Sequence, residues 1–145
     1  MHVTDIHRGI SGFEKWGIHE GTSTPGSALI QCSNGATLWK TANADVGRGC
    51  AGDLSSSYEG MEVWGGTDGL RSADNQSAGT APSYANFVIW WDGDELRELL
   101  DGDVLDKWNN GSMSRLVTLY NYSSATYNNG TKKNPSLQAD ILGDW

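Results

Sequence analysis

Asp53-Leu54-Ser55-Ser56-Ser57-Tyr58-Glu59-Gly60-Met61-Glu62-Val63-Trp64 decides the fold, because the chain writes this phrase twice. Its other copy runs from Asp5-Ile6 to Gly12-Phe13-Glu14-Lys15-Trp16. In both, Gly, Glu and Trp follow the Asp by 7, 9 and 11 residues, and the period is 48 residues. A third echo, Ala139-Asp140-Ile141-Leu142-Gly143-Asp144-Trp145, begins the phrase again. A period of about 40–50 residues built from short strand-like pieces is the pattern of β-propeller blades. The expectation is an all-β chain made of consecutive blades.

The apolar residues around each Asp (Val3 and Ile6, Ala51 and Leu54) suit a short inner strand. Ser55 to Gly60 is turn chemistry, with a glycine available for a positive backbone angle. Met61-Glu62-Val63-Trp64 then alternates like a half-buried strand. Each Asp sits where a strand meets a turn. Its carboxylate is expected to tie down loop N–H groups, or else to help hold a calcium ion.

Composition narrows the setting. The chain has 145 residues, and a closed propeller needs at least four blades of roughly 40–45 residues. About three blades are therefore expected, divided near 1–47, 48–108 and 109–145, the last incomplete, as part of a longer protein. Apolar content is low at 37%, but seven Trp and five Tyr bring large buried areas per side chain. The 19 Gly against three Pro suit a turn-rich β chain. A net charge of −8 argues against nucleic-acid binding. No stretch has the length of a transmembrane helix, and no signal-peptide pattern opens the chain. Cys32 and Cys50 lack metal spacing; a disulfide is open, and free buried thiols are the expected state.

Phe13 to Glu20 reads as a strand ending in His19-Glu20, two residues that point to opposite faces of a strand. Gly26–Cys32, an Asn34-Gly35 turn and Ala36–Lys40 read as a hairpin, the outer pair of the first blade. Arg48, between Gly47 and Gly49, lies just before the next inner strand. The glycines would let a backbone or a ligand approach closely. An Arg there could bind a carboxylate bidentately or make a surface ion pair. Residues 65–81 read as a weak outer strand and a long loop. Asn86–Trp91 is an apolar strand, and 95–100 carries both helical composition and a place where a blade needs a strand. Val104–Trp108 and Arg115–Tyr120 read as strands. Asp92-Gly93-Asp94 and Asp101-Gly102-Asp103 lack the EF-hand ligand spacing and read as tight turns. Asn129-Gly130-Thr131-Lys132 lies in a polar loop placed like the Arg48 loop, ahead of the third phrase. Two such loops, each with a cation, would converge on one channel mouth.

Three motifs together carry a family resemblance: Gly47-Arg48-Gly49 running into Asp53, Phe87 to Gly102, and Asn129-Gly130-Thr131-Lys132 followed by Pro135 to Trp145. The chain resembles polysaccharide lyase family 11, the rhamnogalacturonan lyases built on an eight-bladed propeller. The resemblance spans essentially the whole chain and implies an internal slice of about three blades. It implies cleavage of the rhamnogalacturonan I backbone by β-elimination at galacturonate, with calcium as cofactor. It further implies that Arg48 and Lys132 are the cations aimed at galacturonate, that Asn129, Gly130 and Thr131 line the sugar subsites, and that Glu20 is a calcium ligand. A secreted protein, monomeric when whole, and without nucleic-acid or membrane partners would follow. A family His-Gly-Asp tract falls upstream of His2 and an active-site Tyr falls beyond Trp145, so autonomous catalysis by this stretch is not expected. The alternative is a non-catalytic propeller module that binds sugar or protein, which would not need both Arg48 and Lys132 at one mouth. Endo and exo action are left open.

Overall fold

The computed structural model describes residues 2–65, 68–83, 87–101, 104–109 and 111–118. Twelve strands fill them in chain order: β1 His2–Thr4, β2 Glu14–Ile18, β3 Ser27–Gln31, β4 Thr37–Lys40, β5 Gly49–Gly52, β6 Glu62–Gly65, β7 Leu70–Arg71, β8 Ser77–Gly79, β9 Phe87–Ile89, β10 Glu98–Asp101, β11 Val104–Asn109 and β12 Ser112–Thr118. Among the described residues there is no helix. The strands form three four-stranded antiparallel meanders, β1–β4, β5–β8 and β9–β12.

The repeated phrase is the first hairpin of the first two sheets, in one register. His2 pairs with Trp16 and Thr4 with Glu14; Cys50 pairs with Trp64 and Gly52 with Glu62. Trp16 and Trp64 are both almost wholly buried. Strand alternation explains how one sheet serves two cores. Ala51 and Val63 face the first sheet, in a cluster with Ile6, Trp16, Leu29 and Ala73. Cys50 and Trp64 face the third sheet, packed with Leu54, Leu70, Leu99 and Trp108. In β10 the pattern repeats: Leu99 looks back to the second sheet, and Leu100 looks away with Ile89 and Leu105. The first strands lie side by side, β5 against β9, and His2, Thr4, Ala51, Gly52, Phe87 and Val88 line one cleft of about 310 Å³. They are the inner strands.

Several expectations need correction. The third sheet begins at Phe87, so a unit drawn over 48–108 takes in the second sheet and three strands of the third. Residues 98–101 are strand: Leu99 and Leu100 each have an apolar face to fill, which a strand between two packed layers provides. Ser77–Gly79 is a fourth strand inside the expected long loop. The loop brace is the Glu of the phrase and not the Asp. Glu14 Oε2 accepts the N–H groups of Ile6 (3.1 Å) and His7 (2.9 Å), and Glu62 Oε2 those of Leu54 (2.8 Å) and Ser55 (3.0 Å). The Glu sits on a central strand aimed inward, while Asp53 faces a neighbouring sheet, paired with Arg8 at 3.0 Å. Both cysteines are free; Cys50 is buried as expected, but Cys32 is exposed at the end of β3. The third phrase, 139–145, lies outside the described residues.

Candidate functional site

Antiparallel order sorts the loops onto two ends. The loop between β2 and β3, residues 19–26, and the connection from β4 into β5, residues 41–48, share one end with the start of each inner strand. Glu20 and Arg48 therefore lie at the same end of the sheets. Hydrogen bonds stitch the two segments together. Val46 N–H donates to the His19 carbonyl (3.0 Å), Ala44 N–H to the Thr24 carbonyl (3.2 Å), and Gly21 N–H to Asp45 Oδ1 (3.1 Å). His19 spends its ring Nδ1 on the Pro25 carbonyl at 2.7 Å. Glu20, at the edge of this patch, has an exposed side chain.

Arg48 is exposed and directly precedes β5. Its two glycines differ in role. A Cβ on Gly49 would collide with the Trp64 carbonyl and the Ile18 side chain, whereas Gly47 stands in open space. Only Gly49 is demanded by a close approach, and what approaches is the β6 backbone. The sequence reading passed over His2, whose ring Nε2 donates to the Gly49 carbonyl at 3.1 Å. Its position at the head of an inner strand was the available signal. Lys132, Asn129, Gly130 and Thr131 lie outside the described residues.

Calcium takes six to eight oxygen ligands. Glu20 and Asp45 offer oxygens of the right kind, but they do not make a cage. Among the described residues, the group of three acidic, His or Cys side chains close enough to share an ion is Asp92, Asp94 and Glu98, which does not include Glu20. That triad already holds a cation. Lys107 Nζ lies 2.5 Å from Asp92 Oδ2, 2.6 Å from Asp94 Oδ2 and 2.9 Å from Glu98 Oε1. Burial alone would lower the Lys107 pKa, but the three carboxylates outweigh it and hold the ammonium above its ordinary value. Glu98 is wholly buried, and its Oε2 accepts the Trp91 N–H at 2.7 Å, as Glu14 and Glu62 do in their loops. The turns expected at Asp92 are present: Asp92 and Asp94 each accept a backbone N–H two residues on. Sequence reasoning missed the third buried Glu because its loop is one residue shorter. It missed Lys107 because the partner comes from the next strand.

At the opposite end, after the inner strands, further contacts tie the sheets. Arg97 N–H donates to the Asp53 carbonyl at 2.8 Å, and Met61 N–H to the Ile6 carbonyl at 2.9 Å. The Arg97 guanidinium stacks 2.9 Å over the Trp90 ring. His7 and Asp74 meet at 2.9 Å. Burial raises the Asp53 pKa, against the opposing pull of Arg8 and Arg97.

The family model described as rhamnogalacturonan lyase family 11, C-terminal domain, matches residues 1–145. The chain is 43% identical to the rhamnogalacturonan endolyase YesW of Bacillus subtilis, over all of this chain and 24% of that protein. It is 41% identical to the rhamnogalacturonan exolyase YesX of the same organism, over all of this chain and 27% of that protein. The crystal structure of YesW superposes with a TM-score of 0.81 at 42% identity, covering 99% of this chain and 25% of that one. A Bacillus licheniformis rhamnogalacturonan lyase gives 0.80 at 43% identity, over 99% and 25%. The chain spans about a quarter of the length of the curated relatives it matches. Matched from end to end in sequence and in fold, the chain belongs to rhamnogalacturonan lyase family 11.

Proposed function

We propose that this chain is part of a rhamnogalacturonan lyase that cleaves the rhamnogalacturonan I backbone by β-elimination at galacturonate. The observation that carries the reading is the unbroken likeness to two rhamnogalacturonan lyases at 41–43% identity over the whole chain. An acidic chain and an acidic polymer repel each other, so productive contact needs a local concentration of cations. Arg48 is exposed at the loop end that leads into an inner strand. Its planar fork fits a uronate carboxylate bidentately.

The reaction breaks the C5–H and C4–O4 bonds and forms a C4=C5 double bond. A base removes the C5 proton, and O4 leaves with the rhamnose-bearing product, taking up a proton. The C5 proton is weakly acidic until the neighbouring carboxylate is neutralised, so cations at the carboxylate lower the barrier by stabilising enolate-like charge. Arg48 does this, joined by Lys132, which also serves as the base if its own pKa is depressed by its neighbours. Asn129, Gly130 and Thr131 line the sugar. Calcium, if bound there, would neutralise the carboxylate further, with Glu20 as one of its ligands. The enzyme acts outside the cell, as a monomer.

The test is the whole protein with rhamnogalacturonan I, read by the ultraviolet absorbance of the unsaturated uronate. Arg48→Ala is expected to lower the rate by about 10²–10³. Binding of the polymer with no unsaturated product would instead indicate a non-catalytic sugar-binding module.

A further inference from the structure

We propose that His2 is a positioning residue for Arg48, fixing the backbone beside it through an imidazole N–H donated to the Gly49 carbonyl. The inference rests on the reading of Arg48 as the cation that meets galacturonate. A carbonyl only accepts, so at 3.1 Å the ring Nε2 must carry the proton. Burial holds the His2 pKa below its ordinary value, which keeps the ring in this neutral form.

The location gives the bond its consequence. Inner strand β5 is bonded to β6 on one side only. His2, from the neighbouring sheet and 47 residues away, reaches its first residue across the cleft wall. On the other side of Arg48, Val46 is buried and its N–H is held by the His19 carbonyl at 3.0 Å. Arg48 is thereby pinned two residues before and one residue after, while its side chain stays exposed. Gly49 itself has no slack, lodged between the Trp64 carbonyl and Ile18. A guanidinium acting on developing charge must be placed to a fraction of an ångström, and about 1 Å of misplacement costs on the order of 10²-fold in rate.

The experiment compares His2→Phe, which keeps the ring volume but cannot donate, with His2→Gln, whose amide N–H reaches the same place. Both are made in the whole protein and in an Arg48→Ala background. We expect His2→Phe to lower kcat and kcat/KM together by about tenfold with KM unchanged, the mark of an interaction used in the transition state. His2→Gln should recover most of the loss, and the His2 effect should vanish once Arg48 is gone. Unfolding of His2→Phe would shift the decision to His2→Gln against His2→Ala at equal melting temperature. A wild-type kcat in His2→Phe while Arg48→Ala is inactive would overturn the role of His2 alone. An active Arg48→Ala protein would overturn the reading of Arg48 itself.

Discussion

Glu62 is wholly buried, with Oε2 taking two backbone N–H groups and Oε1 without a hydrogen-bond partner. Burial pushes its pKa up from 4.5 to about 7, although those N–H groups pull the other way. The folded protein therefore holds a proton there that the unfolded chain releases. The resulting stabilisation is complete below about pH 4.5 and is lost as pH rises through about 7. It amounts to on the order of 3 kcal/mol. Urea unfolding at pH 5 and pH 8 should show the wild type weaker at pH 8, and Glu62→Gln should flatten that difference. An unchanged pH dependence in Glu62→Gln would contradict the assignment. Glu62→Ala strands the Leu54 and Ser55 N–H groups and should cost about 1–3 kcal/mol at either pH. A second residue-scale test concerns the thiols. Cys32 is exposed, while burial raises Cys50 to about 11, so a thiol reagent should modify one cysteine in the folded protein and two in denaturant. The repeat made both Asp and Glu of the phrase visible but could not say which one braces the loop. That choice depends on which carboxylate lies on the inner hairpin facing its own loop, and strand register decides it.

At the scale of the element, the loop from β9 to β10 is held by a cation from β11. Lys107 gathers Asp92, Asp94 and the buried Glu98, and the Asp-Gly-Asp turn is built around that ammonium. Lys107→Met should leave the Glu98 carboxylate buried without its counter-charge and lower stability by about 1–3 kcal/mol. The double variant Lys107→Met with Glu98→Gln should recover much of the loss, measured by thermal melts of both proteins. No recovery would mean that Lys107 acts through its methylene packing alone. The hairpins were legible because Asn34-Gly35 and the 48-residue period mark their turns and strands. Strand β10 was not, because Glu95-Leu96-Arg97-Glu98-Leu99-Leu100 has the composition of a helix. What makes it a strand is tertiary: Leu99 and Leu100 fill two different cores on opposite faces.

Across the whole molecule, three sheets share one register and one set of ties. The residue before each buried Glu of the second and third sheets donates its N–H to the loop of the preceding sheet, Met61 to Ile6 and Arg97 to Asp53. Three such sheets line only an arc, since closed propellers need at least four. On the proposed function, residues 1–145 expressed alone should therefore turn over rhamnogalacturonan I at least about 10²-fold more slowly than the whole protein, since an open arc gives up part of the charge that stabilises the transition state. Comparable rates would locate a complete site in these sheets. The period revealed the first two sheets but not the third, which starts at Phe87, and the family resemblance pointed to Arg48 and Glu20, which the fold brings to one end. The contacts that bind that end, His2 to Gly49 and Val46 to His19, join residues 47 and 27 apart and leave no mark in local pattern. The most direct measurement of the central claim is a crystal structure of the whole protein with a rhamnogalacturonan I oligosaccharide bound. A galacturonate carboxylate is expected about 3 Å from the Arg48 guanidinium, at the end of the sheets that carries the 19–26 loop. An oligosaccharide seated at the opposite end, or one whose galacturonate carboxylates all lie away from Arg48, would contradict it.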